Sequence, residues 1–131
     1  MLPLKHKIKL PKRTKYNNRT TKFQGNYYDS KLEANCAMWL ASLLREKKIT
    51  AIKVKPKIDL TVNKVHIGNH YVDFIVTLPS GRIKFVEAKG LPTGAWVMKQ
   101  RLTKALYPEI PYLIFTDGSG YPCVTEKELL V

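Results

Sequence analysis

Two β-rich runs, His70–Leu78 and Arg82–Lys89, flank the triplet Pro79-Ser80-Gly81, and no other feature restricts the fold of this chain so strongly. Pro pre-sets the backbone of a type I turn and Gly accepts the left-handed conformation that follows it, so the triplet predicts a three-residue hairpin loop. A loop of that length makes Leu78 face Arg82, and facing positions then share one sum of residue numbers. Asp73 falls opposite Glu87. Opposed side chains in an antiparallel pair leave the same face with Cβ atoms about 4.5–5.5 Å apart, and the strand period of two returns Lys89 to the face of Glu87. Two carboxylates and an amine are expected to converge.

The remaining pattern supplies what surrounds the hairpin. Leu32, Cys36, Trp39, Leu40, Leu43 and Leu44 recur at helical spacing across 31–48, with Asp29 or Ser30 available as N-cap and the cluster Arg45, Lys47 and Lys48 suited to the negative end of the dipole. Alternating Ile52, Val54, Ile58, Leu60 and Val62, interrupted by Pro56, predict an edge strand with a break. Lys64–Asn69 reads as a turn or a short extension of it. Gly90–Gly94 is a loop, and Ala95–Leu106 a second helix with an apolar stripe of Met98, Leu102, Ala105 and Leu106, ended by Tyr107-Pro108. Tyr112–Thr116 is a short buried-type strand, and Asp117–Gly120 a turn. The order helix, three strands, helix, strand predicts an α/β sheet with helices against it.

With 131 residues the chain is about the length of one domain. Its charge is lopsided: 23 Lys and Arg against 10 Asp and Glu, a formal +13 at pH 7. A polyanionic partner is the natural expectation. Lys5, Lys7, Lys9, Lys12, Arg13, Lys15, Arg19 and Lys22 all precede Asp29, the first acidic residue. Like charges repel, and this stretch lacks apolar periodicity, so residues 1–22 are expected to form a basic arm and residues 23–131 the domain. Lys12, Arg13, Lys15 and Arg19 are candidate DNA contacts. No apolar run approaches the roughly 18 residues of a membrane span, and the start has no secretory h-region, so the expected location is the cytoplasm. Cys36 and Cys123 fit no zinc spacing and are assigned to packing, while His66 and His70 read as surface or strand-edge residues. Trp39 reads as core; Trp96 suits either the core or a stacking surface.

Side by side, Asp73 and Glu87 repel unless a proton, a cation or a metal lies between them. Magnesium suits such oxygen ligands, the Ala88 carbonyl can add another, and manganese is the natural substitute. Lys89 is then placed to orient water or to take its proton. Glu33, on the apolar side of the first helix near its start, can reach over the strand face to complete the site; the competing reading is that Ser30-x-x-Glu33 is simply a capping box. Asp73, Glu87 and Lys89 also have a plain alternative as a solvated strand face, although Phe74, Ile75, Val76, Phe85 and Val86 make uncompensated charge there costly. Lys99, Arg101 and Lys104 of the second helix suit phosphate contacts or, equally, a solvated face.

Three segments carry a resemblance: Tyr28-Asp29-Ser30-Lys31-Leu32-Glu33-Ala34, Tyr71-Val72-Asp73-Phe74 and Phe85-Val86-Glu87-Ala88-Lys89-Gly90. In order and spacing they resemble the motifs of the PD-(D/E)XK nuclease superfamily, and within it small phage-encoded endonucleases of the Holliday-junction-resolving endonuclease I type. The resemblance spans roughly Phe23 to Phe115, with Val72 where the superfamily name has Pro. It implies a restriction-endonuclease-like core, a mixed β-sheet flanked by helices. It further implies metal-dependent hydrolysis of DNA phosphodiesters, with Glu33, Asp73, Glu87 and Ala88 as the metal set and Lys89 acting on the attacking water. Branched DNA and a homodimer follow from the same likeness. A nicking or restriction-like nuclease on duplex DNA, and a non-catalytic basic nucleic-acid-binding protein with structural carboxylates, remain open alternatives.

Overall fold

A computed structural model describes residues 21–23, 26–28, 30–118 and 121–131, with side chains from residue 30 onward. The chain is a mixed α/β fold with a mixed sheet and flanking helices. Of the basic arm expected over 1–22, residues 1–20, including Lys12, Arg13, Lys15 and Arg19, lie outside the described residues; Thr21 and Lys22 fall in β1. That strand, Thr21–Phe23, pairs antiparallel with β2, Asn26–Tyr28.

Helix α1 covers Lys31–Arg45, three residues shorter than its periodicity suggested. Ser30 caps it, its side chain accepting from the Glu33 amide at 3.1 Å. The other end stops because Lys47 turns left-handed (φ 60°), Lys48 N–H donates to the Leu43 carbonyl, and Lys47 N–H donates to that of Leu44. These are the paired bonds of a Schellman cap. Glycine usually marks such a stop, and a lysine there leaves no sign in the sequence.

The stretch across Pro56 forms two strands in different sheets. Strands β3, Ala51–Val54, and β4, Lys57–Val62, part at Lys55-Pro56. β5 is Val65–Tyr71, so the segment expected to be a turn or a short extension of the edge strand is a separate strand paired with β4. Its hairpin closes at Asn63 and Lys64, both with positive φ, 49° and 67°, as a two-residue type I′ loop requires. The exposed Val65, His66 and Ile67 hid the strand, because it has no alternating apolar face. Val72 and Asp73 then separate β5 from β6, Phe74–Thr77. Five strands therefore lie between the two long helices, where three were expected.

The β6–β7 hairpin has the register its loop chemistry demands. In β7, Ile83–Ala88, Val86 faces Phe74 and Phe85 faces Ile75. Gly81 takes φ 90°. Helix α2, Gly94–Leu106, crosses to β8, Tyr112–Phe115, which runs parallel to β7. The main sheet has the order β3-β6-β7-β8. On one of its faces Phe74, Val76 and Val86 pack with Ala34, Leu40 and Leu43 of α1 and with Leu129 of α3, Glu126–Leu130. On the other, Ile75 and Phe85 pack with Ile58 and Leu60 of β4 and with Trp96 of α2. Each fully buried Phe or Leu contributes roughly 1.5–3 kcal/mol of transfer free energy. Coverage on both faces is why the β6 and β7 runs read as nearly continuous apolar sequence.

The buried side of α2 keeps Leu102 and Leu106 of the expected stripe, both half-buried against the second cluster, but Trp96, Gln100 and Thr103 are the residues fully inside, whereas Ala105 is exposed and Met98 is 67% exposed. Helical spacing offered several faces, and packing against β4 and β5 chose the one bearing the indole. Cys36 is buried and Cys123 half-buried, both as free thiols in the apolar cluster beneath α1.

Candidate active site

At the C-terminal end of β7 the chain opens a polar cavity of about 540 Å³, lined among others by Glu33, Lys55, Asp73, Glu87, Ala88 and Lys89. Each enters from a different local cause. Continuing the β6–β7 register by one residue places Asp73 across from Glu87. Asp73 is also held by the Ala88 amide, which donates to its Oδ2 at 2.8 Å. Glu33 arrives from the first turn of α1 and is only 4% exposed. Ser30 supplies its half of the capping box, while the Glu33 carboxylate pairs with the Lys55 ammonium at 2.7 Å.

Lys55 is the main residue that sequence reasoning missed. Its Nζ also lies 2.9 Å from Asp73 Oδ1, so one ammonium bridges carboxylates from α1 and from the β5–β6 connection. Burial works against this charge, but Asp73 and Glu33 outweigh it and hold the Lys55 pKa above its ordinary value. The available signal was Lys55-Pro56 at the break between two strands, a place where the backbone has to swing out of register.

Glu87 sits in a buried polar network. Trp96 Nε1–H donates to Oε1 at 3.3 Å, and the Tyr112 hydroxyl donates to Oε2 at 3.0 Å. Burial and the nearby Asp73 charge push its pKa up to about 8, against the pull of Tyr112, Lys55 and Trp96. Tyr112 in turn contacts His70 Nε2 at 2.9 Å. With the only Tyr112 proton directed at Glu87, His70 serves as donor from Nε2. His70, expected at the surface or at a strand edge, is 4% exposed in β5. Burial first, then the Lys99 and Lys89 charges, lower its pKa to about 4, so it is neutral near pH 7. Burial and the Glu87 charge raise the phenol of Tyr112 well beyond its usual range. None of Trp96, Tyr112 and His70 carries a motif signature, because each reaches Glu87 only through the crossover and the second sheet.

Lys89 leaves the strand end half-buried, its Nζ 5.5 Å from the centre of the Trp96 ring, a cation–π distance. The structure thus brings Glu33, Asp73, Glu87, Ala88 and Lys89 to one cavity. Lys99, Arg101 and Lys104 are exposed on α2 and do not line it. The donor chemistry fits a hard divalent cation, with several carboxylate oxygens facing one open polar space. As the side chains stand, however, the described residues hold no group of three or more acidic, His or Cys side chains gathered for a metal ion. Lys55 bridges two of the carboxylates, and both oxygens of the third accept from Trp96 and Tyr112.

No helix among the described residues is long and apolar enough to cross a membrane. Comparison with curated proteins gives no match. A family match does cover the cavity residues and part of the basic arm: over residues 13–117 the chain belongs to the family described as Protein of unknown function (DUF1064).

Proposed function

We propose that this chain is a metal-dependent DNA endonuclease of the PD-(D/E)XK type, with a restriction-endonuclease-like core and branched DNA as its leading substrate. The observation that carries the reading is the juxtaposition of Asp73 and Glu87 across a hairpin, with Lys89 two residues on and Glu33 from α1, around one polar cavity. Burial of so many carboxylates is costly for stability alone. A formal charge of +13 supplies the attraction for a polyanion.

In this reading Asp73, Glu87, Glu33 and the Ala88 carbonyl hold magnesium, with manganese as substitute. The ion, when bound, withdraws charge from the scissile phosphate. Lys89, steadied by the Trp96 ring, orients the attacking water toward phosphorus. Trp96 and Tyr112 fix the Glu87 carboxylate so that it does not rotate away from the cavity, as outer partners of a ligand do. Lys99, Arg101 and Lys104 bind the DNA backbone from the solvent side of α2, and the basic arm adds contacts that carry affinity without reading bases. Resolving a four-way junction takes two cuts, so the active form is a homodimer.

Cleavage of four-way junction, duplex and single-stranded DNA, with and without magnesium, tests this directly. Cutting of the junction is expected only with the metal, with Glu87→Ala abolishing it and Lys89→Ala lowering it by about 10²–10⁴-fold. Binding without cleavage of any of the three, in magnesium or manganese, would leave a basic binding protein with structural carboxylates.

A further inference from the structure

Lys55 has φ 52°, and its amide donates to the Asp73 carbonyl at 2.8 Å. A left-handed residue with a Cβ costs roughly 1–2 kcal/mol, and a following proline pushes its neighbour toward extended backbone instead. This conformation aims a lysine between two carboxylates that are distant in sequence. The Lys55 side chain is 15% exposed and the Glu33 side chain it meets 5%.

We infer that Lys55 is an internal counter-cation that holds Glu33 and Asp73 together in the metal-free protein and is displaced from them when a divalent cation binds. The inference rests on the proposed metal-dependent reading of the cavity. Without a cation between them, the Glu33 and Asp73 carboxylates would repel. A single ammonium meets that need, yet its positive charge stands at the oxygens a divalent ion must take. An amine on a four-carbon stem can swing aside, and the open cavity beside it gives it room. Lys55 is thus a positioning residue, setting how tightly the ion binds and how the empty site keeps its shape.

Calorimetric titration of manganese and magnesium into the full chain, with thermal melting in chelator, tests this without any substrate. Lys55→Met is expected to bind manganese on the order of tenfold more tightly than the wild type, equivalent to about 1.4 kcal/mol. It should also melt lower in chelator and recover more on adding the ion. Lys55→Arg, which keeps the charge, is expected to bind no more tightly than the wild type. Lys55→Gln, with a polar group left between the carboxylates, keeps the test readable should Lys55→Met fail to fold. Manganese affinity that is equal or weaker in both neutral variants would overturn displacement while leaving the metal site intact. Absence of binding in the wild type and in all variants would overturn the metal-dependent reading as well.

Discussion

The Tyr112 hydroxyl donates to Glu87 Oε2 at 3.0 Å, across the parallel boundary between β8 and β7. This contact joins the strand that supplies the acid to the strand that returns after α2, so the state of the cavity depends on the crossover being in place. It also restrains a carboxyl whose pKa burial and Asp73 still push up to about 8.

From that shift follows a pH dependence of stability in chelator. A folded pKa of about 8 against an ordinary 4.5 means that the native state holds the proton more tightly between those values, so the Glu87 contribution is full below about 4.5 and is lost as pH rises through 8. His70, lowered from 6.5 to about 4, acts oppositely, adding stability as pH rises from 4 to 6.5. Of these two effects the Glu87 one remains above pH 6.5, so melting temperature is expected to fall toward pH 8.5. Glu87→Gln should flatten that fall, and Tyr112→Phe should move its midpoint upward by removing a donor to the ionised form. A fall of unchanged size in Glu87→Gln would locate the titration elsewhere.

Lys89→Ala should separate chemistry from binding. Loss of a group that handles water or its proton lowers cleavage by about 10²–10⁴-fold, while the dissociation constant for DNA, measured in calcium, changes little. Equal loss of both would make Lys89 a phosphate anchor.

Salt dependence measures the arm and α2 independently of cutting. Each lost phosphate contact lowers the slope of log affinity against log salt by about 0.9 on duplex DNA. Removing residues 1–22 is expected to flatten the slope by several such steps, and Lys99→Ala, Arg101→Ala or Lys104→Ala by about one each. An unchanged slope after removing the arm would take it out of the interface.

Phe85 is a test of the scaffold beneath the site. It is 1% exposed, meets Tyr107 and Tyr112 edge-on at 6.3 and 5.8 Å, and lies two residues before Glu87 on the same face of β7. Phe85→Ala should cost about 3–5 kcal/mol in urea denaturation. A cost below about 1 kcal/mol would mean that the β4–β5 layer does not pack there as described.

Local chemistry in the sequence determined the β6–β7 hairpin, its register and therefore the facing of Asp73 and Glu87, because a Pro-Ser-Gly loop and a period of two act over neighbouring residues. It also determined α1 with its Ser30 cap and the entry of Glu33 from the first turn. Only the tertiary structure decided that the chain around Pro56 divides between two sheets, that β5 completes the second, and that α2 buries Trp96 in place of Met98. Lys55, Trp96, Tyr112 and His70 reach the carboxylate network from four other places in the fold: the β3–β4 connection, α2, β8 and β5. Their roles arise from layers closing on each other and from charges left without water, which no spacing of letters within one segment encodes.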